Sequence, residues 1–297
     1  MKTSILATLI LLLSFDVYAQ DELVDTSSFQ SYRNRIKDQT FLISLDSTNA
    51  VAYSKRGVLK IKLNDNLGGI ADLNKAISFD PRYPDFYNNR ANAKSNLKDY
   101  IGAIKDFDES LKHNHILIEV YFGRGKAKME LKDFRGAIED FTKAIEGNPK
   151  DFESYAYRAD CQIKLKNYSS AISDYNSAIL LNPSNDSYYH NRGDAKFLLP
   201  DMSGALLDYE KAINLAPKNA LNYYSRGQLK AKNDDLISAL SDYNKAIEYN
   251  PLFAEAIGSR GLTKIGLGNQ KDGCEDLNTA LQLDYTAVLE YIKEYCK

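Results

Sequence analysis

Apolar and small side chains recur along this chain at helical spacing, and the helical pattern itself recurs every 34 residues. Phe134–Pro149 reads FRGAIEDFTKAIEGNP, Tyr168–Pro183 reads YSSAISDYNSAILLNP, and Leu236–Pro251 reads LISALSDYNKAIEYNP. With Pro149 set as position 32, ungapped 34-residue repeats tile 50–83, 84–117, 118–151, 152–185, 186–219, 220–253 and 254–287. Position 8 is Gly or Ala throughout, from Gly57 to Gly261, and position 20 likewise, from Gly69 to Gly273. Position 27 is Ala except at Ser110, and position 24 is large: Leu73, Phe107, Phe141, Tyr175, Tyr209, Tyr243 and Leu277. Position 4 is Tyr in six repeats and Ile257 in the last; position 32 is Pro in five, with His115 and Tyr285 in the others.

Positions 20, 24 and 27 are related as i, i+4 and i+7, one face of a helix, and positions 4 and 8 share a face of another. Each repeat is therefore predicted to hold two antiparallel helices. Small residues at 8 and 20 let them approach, and large ones at 4 and 24 fill the space beside them. Breakers near position 15, such as Leu-Lys-Asp (131–133) and Leu-Pro-Asp (199–201), divide the two helices. Pro200 is read as entering a second helix, where its missing N–H costs least. Residues 20–49 contain a lone second helix in the same register, with Arg35 and Gln39 at positions 20 and 24, and are assigned to an N-terminal cap. Residues 288–297 read as a short amphipathic C-terminal capping helix.

The Gly/Ala at 8, Ala at 20, aromatic at 24, Ala at 27 and Pro at 32 resemble the tetratricopeptide repeat family. The resemblance spans residues 50–287. It implies an all-α, right-handed solenoid of stacked helix-turn-helix repeats around a concave groove. Such arrays bury a continuous core only by stacking, and their ends need caps.

Two positions depart from the family pattern. Position 7, usually apolar there, is Arg in all seven repeats, and position 23, often aromatic, is Asp in all seven. At about 100° per residue, positions 14, 7, 11 and 8 lie on the core side with position 4, while positions 2, 5, 9 and 12 centre elsewhere. The resemblance assigns that second set to the groove. An Arg on the core side needs a partner, and Asp at 23 supplies one. Arg124 with Asp140, and Arg158 with Asp174, exemplify the expected structural pairing. The spacing leaves open whether each Arg meets the Asp of its own repeat or of a neighbour.

Groove positions vary from repeat to repeat. They offer Asn88 and Asn92 in the second, and Phe122, Lys126 and Met129 in the third. The fourth and fifth offer Tyr157, Asp160, His190, Asp194 and Phe197; the sixth offers Tyr224 and Gln228. Aromatic and Met residues interleaved with polar ones suit a peptide or protein partner, and equally an ordinary solvated face. Some members of the family clamp a C-terminal carboxylate with Lys and Asn; no Lys stands at position 5 here.

The first nineteen residues differ from the rest. Lys2 precedes an apolar run from Ile5 to Phe15, and Val17-Tyr18-Ala19 presents a cleavage site before Gln20. This is a secretory signal pattern, too short to span a membrane, and it places the mature chain in the periplasm or outside the cell. In an oxidising compartment Cys274 and Cys296 are candidates for a disulfide stapling the C-terminal cap, and Cys161 reads as a buried small hydrophobe. A net charge of −2 gives no drive toward nucleic acid or anionic membrane. Three cysteines and three histidines form no metal-ligand spacing, and no nucleotide or nucleophile motif is present, so no metal, cofactor or catalysis is expected. The expected function is a non-catalytic scaffold or adaptor that binds a peptide or protein surface in its groove. The alternative is an assembly subunit that self-associates through its ends or convex face.

Overall fold

The computed structural model describes residues 26–114 and 118–296. The signal-like stretch, residues 20–25 and His115 lie outside the described residues. Every regular element among those described is helical. The elements are α1 (Thr26–Leu45), α2 (Ala50–Lys62), α3 (Asn66–Phe79), α4 (Pro84–Asn96), α5 (Tyr100–His113), α6 (Ile118–Glu130), α7 (Phe134–Gly147) and α8 (Phe152–Lys164). They continue as α9 (Tyr168–Leu181), α10 (Asp186–Leu198), α11 (Met202–Leu215), α12 (Ala220–Lys232), α13 (Leu236–Tyr249), α14 (Ala254–Gly266), α15 (Gln270–Gln282) and, after a 3-10 turn at Thr286–Val288, α16 (Leu289–Tyr295). The chain is an all-α solenoid. It divides into two compact bodies, one ending at Gly123 and one beginning at Arg124. In the first, α1 packs on α2, α2 on α3, α3 on α4 and α4 on α5. In the second, α7 to α15 stack in the same serial way and α16 closes on α15.

The helix boundaries follow from local chemistry. Asp65, Asp99, Asp133, Asp201 and Asp235 precede second helices and accept hydrogen bonds from backbone N–H groups of the first turn. The residue before each cap is left-handed: Asn64, Lys98, Lys132, Lys166 and Asp234 have φ between 61° and 64°, and Gly268 has φ 86°. Pro200 occupies this same slot with φ 30°. It is thus a turn residue two places before α11, not the first residue of that helix.

Packing follows the small and large positions. A Cβ on Gly57 would lie 2.9 Å from the carbonyl oxygen of Gly69, so α2 and α3 approach with no room for a side chain. Leu73, Phe107, Phe141, Tyr175, Tyr209, Tyr243 and Leu277 are all buried beside such contacts. Burying one side chain of this size contributes about 1.5–3 kcal/mol. The terminal repeat is closed by Val288, which packs with Ile257, Leu277 and Ala280, and by a disulfide between Cys274 and Cys296. Cys161 is free and buried, and burial pushes its thiol up to about 12.

Between the paired helices runs a charged ladder. Each Arg at position 7 grips the Asp at position 23 of its own repeat through two nitrogens. Arg124 does so to Asp140 at 2.6 and 3.0 Å, and Arg158 to Asp174 at 2.6 and 2.8 Å. In five repeats the outer guanidinium nitrogen also bonds position 25 of the preceding register: Arg56 to Thr40, Arg90 to Asn74, Arg158 to Thr142, Arg192 to Asn176 and Arg260 to Asn244. A third group completes the site. Lys60, Lys94, Lys128, Lys196, Lys230 and Lys264, all at position 11, lie 2.7–2.8 Å from the same carboxylates. The fourth repeat alone has no lysine there; Gln162 takes its place. Tyr at position 4 flanks the ladder: Arg56, Arg90, Arg158, Arg192 and Arg226 sit over Tyr53, Tyr87, Tyr155, Tyr189 and Tyr223 at 5.3–5.7 Å from the ring centres. Tyr87, Tyr189 and Tyr223 also donate to the carbonyls of Pro81, Pro183 and Pro217, which links position 4 to position 32 of the repeat before.

Candidate functional site

The candidate binding residues stand on the first helices of the repeats, nearly all at positions 5, 9 and 12, a face named the inner one on the family resemblance. In the N-terminal body, Asn88 is half-buried and Asn92 exposed, with Asn92 Nδ2 3.4 Å from Asn88 Oδ1. Asn96 donates to Asn66 at 3.0 Å, and Phe122 is half-buried. These amides form a polar surface, bonded within one helix at Asn88–Asn92 and between helices at Asn96–Asn66.

The C-terminal body carries the richer arrangement. Exposed Lys126 has its ammonium 5.3 Å from the centre of the Tyr157 ring, which stacks on Phe141 at 5.7 Å. Farther along, Phe197 lies under the Lys232 ammonium at 4.4 Å. Tyr224 packs on Phe253 at 4.8 Å and accepts from exposed Gln228 at 2.8 Å. Between these ends lies an open cleft of about 540 Å³. Its lining includes Met129, Phe134, Ile163 and Tyr175, with Asp160, Asn191 and Asp194 as polar groups and Glu130, Lys132 and Lys164 beside them. A smaller cleft of about 250 Å³, lined by Glu153, Tyr157, Asp160, Tyr188 and Asn191 among others, shares Asp160.

Two tyrosines from second helices hold the aspartates. Tyr175 donates its hydroxyl to Asp160, which also accepts from Asn191 Nδ2 at 3.3 Å. Tyr209 donates to Asp194 at 2.8 Å. Burial pushes the Asp160 carboxyl above its ordinary range, against the opposing effect of these hydrogen bonds and of the Lys164 charge. Both tyrosines are pushed upward as well, by burial first and then by the adjacent carboxylates. They are therefore phenol donors, not phenolates.

His190 departs from expectation. It was assigned to the groove with position 5, but it is only 6% exposed. Its ring packs against Tyr209 at 5.9 Å, and Nε2 lies 3.3 Å from Asp194 one helical turn on. The side chain has folded along the helix beneath the face. The position-11 lysines and the Tyr–Asp bonds between positions 24 and 9 went unrecognised in the sequence. Both had a signal: lysine recurs at 11 in six repeats, and Tyr at 24 coincides with Asp at 9 in the fourth and fifth. Among the described residues no cluster of His, Cys, Asp and Glu is arranged to hold a metal, and no helix is long and apolar enough to cross a membrane.

Three models of the tetratricopeptide repeat match the chain, over residues 122–186, over 73–105, and over 186–219 with 220–251. No curated protein sequence matches it. Similar solved structures include the C-terminal part of a tetratricopeptide-repeat protein from Cytophaga hutchinsonii, at 18% identity and TM-score 0.65 over 78% of this chain and 96% of that one. A tetratricopeptide repeat protein from Parabacteroides merdae is 17% identical, with TM-score 0.61 over 90% and 97%. YrrB, described as a tetratricopeptide-repeat protein with an unusual peptide-binding site, is 20% identical, with TM-score 0.59 over 63% and 97%. At these identities the likeness concerns the fold.

Proposed function

For a chain that belongs to the tetratricopeptide-repeat proteins, we propose a non-catalytic role as a scaffold whose inner face binds an extended peptide or a protein surface. The observation that carries this is the open cleft of about 540 Å³ in the C-terminal body, where apolar side chains alternate with fixed hydrogen-bonding groups. Ligand-binding clefts commonly have this size and this mixture of apolar and polar lining. The peptide-binding site described for YrrB, on the same fold, supports the reading. A location in the periplasm or outside the cell is part of the proposal. It is supported by the signal-like pattern before Gln20 and by the Cys274–Cys296 disulfide, a bond that persists in oxidising compartments.

The test is affinity capture from an envelope extract with wild type and with Phe122→Ala/Phe197→Ala, after circular dichroism shows both folded. A partner retained by wild type and lost from the double variant is expected. Identical capture by both would move the functional surface off the inner face.

A second reading, self-association through one end, draws on α1, where Phe41, Leu42 and Leu45 are 63%, 42% and 69% exposed. Light scattering across a concentration series decides it: a monomer at every concentration removes this reading.

A further inference from the structure

The two inner-face aspartates are held by neutral donors, unlike the buried aspartates of the ladder. Asp160 accepts from a phenol and an amide, and Asp194 from a phenol, with the buried His190 ring beside it. No lysine or arginine among the described residues forms an ion pair with either. The seven aspartates at position 23, by contrast, each have an arginine within 2.7 Å. Asp160 is largely shielded from water and feels the Lys164 charge only from beyond ion-pair distance, while Asp194 keeps 44% of its side chain exposed beside His190; carboxylates so placed, without an ion pair, favour a cation that can reach them. The cleft leads to both groups, and its apolar lining offers Met129, Phe134 and Ile163.

An alkyl chain ending in a positive charge fits both features, since such side chains lay their stem on apolar surface and carry the charge to its end. We infer that this cleft receives a lysine or arginine side chain of an extended partner segment, its stem against Met129, Phe134 and Ile163 and its head at Asp160 and Asp194. The inference rests on the inner-face reading above and adds the chemical class of the partner. The upward push on Asp160 by burial agrees with it, because a bound cation would relieve that cost.

Phage-displayed random heptapeptides panned on the full chain test the inference. Peptides selected by wild type should contain Lys or Arg well above library frequency. One selected peptide is then measured by calorimetry against Asp160→Asn/Asp194→Asn, an isosteric pair of changes that leaves the tyrosine hydroxyls an acceptor. Its Kd should rise at least about tenfold. The same rise is expected on wild type when the peptide's basic residue is replaced by norleucine, an arm that needs no variant to fold. Selected peptides without basic residues, or unchanged Kd in both arms, overturn the inference. In that case binding still lost from Phe122→Ala/Phe197→Ala would leave the inner face as the site. If wild type enriches no peptide, both the inference and the peptide-binding reading fall.

Discussion

The aspartates at position 23 and those at position 9 belong to repeats of one design, yet they meet burial in opposite ways. Asp140, 2% exposed, is gripped by two nitrogens of Arg124 and by Lys128. Asp160 is withdrawn into the inner face with only Tyr175 and Asn191 as donors. The first arrangement is complete within the chain and its Arg–Asp pair recurs in all seven repeats, the lysine being missing only in the fourth. The second leaves the carboxylate without a lysine or arginine ion pair, Lys164 acting on Asp160 only from a distance, and its Tyr–Asp bond occurs in two repeats. A recurring, satisfied pair belongs to folding. A local carboxylate held by hydrogen bonds but by no ion pair, and opening on a cleft, is where a ligand would be recognised.

The largest effect that could break this contrast is at Asp140. Asp140→Ala leaves the Arg124 and Lys128 charges partly buried without their partner, and breaking such a pair costs about 3 kcal/mol. Denaturant unfolding at neutral pH should show the loss. A change below about 1 kcal/mol would mean the ladder is a solvated ornament and the comparison fails. Tyr209→Phe is expected to do less. Phe already fills position 24 at Phe107 and Phe141, so the ring fits, and only the hydroxyl bond to Asp194 is lost, about 1 kcal/mol.

Acid titration separates the two kinds of aspartate by sign. Burial alone would raise the Asp72 carboxyl, but Arg56 and Lys60 outweigh it and hold the group below its ordinary range. Its contribution to stability is therefore present above the unfolded-state value, about 3.9, and lost as pH falls through the lower folded value. Asp160 is shifted upward, so its ionised form is a cost at neutral pH that is relieved as pH falls through the raised value. Asp72→Asn should thus destabilise at pH 7, and Asp160→Asn should stabilise slightly, with both differences shrinking in acid. A loss of stability at pH 7 in Asp160→Asn would show that Lys164 and the hydrogen bonds already stabilise its charge in full, which would leave no demand for a cation from a partner.

The architecture was legible because it depends on residue size at fixed spacing. Gly57 against Gly69 and Phe141 against Gly125 need nothing but volume and a helical period. The ladder was half legible. A helical wheel put Arg at position 7 on the core side and so demanded a partner, and it put position 11 on that side too. The lysines went unread there because a lysine on a helix is ordinarily taken for a solvated side chain, and its long stem hides how far the charge can travel inward. The inner face was least legible. The wheel gives the direction in which a side chain leaves the backbone, not where it ends: His190, read as facing the groove, is buried against Tyr209 and Asp194. The pairing of Asp160 and Asp194 with Tyr175 and Tyr209 joins two helices whose contact no single-helix period describes.

The smallest expected effect sharpens the contrast within the ladder itself. In the fourth repeat Gln162 stands at position 11, and its Oε1 is buried without a hydrogen-bond partner. Asp174 there is held by Arg158 alone, whereas its counterparts have a lysine too. Gln162→Lys should supply the missing ammonium along the path that Lys128 and Lys196 take in the repeats on either side, each 2.8 Å from its Asp. Those lysines are about one-fifth exposed, so solvent screens the gain, and an added stability of about 0.5 kcal/mol is expected. The gain should fall with added salt, which separates an ion pair from mere removal of the stranded amide oxygen; Gln162→Met, which removes the amide without adding charge, gives the salt-independent part. If Gln162→Lys lowers stability, the fourth repeat has a geometry of its own and Asp174 does not belong with the other six.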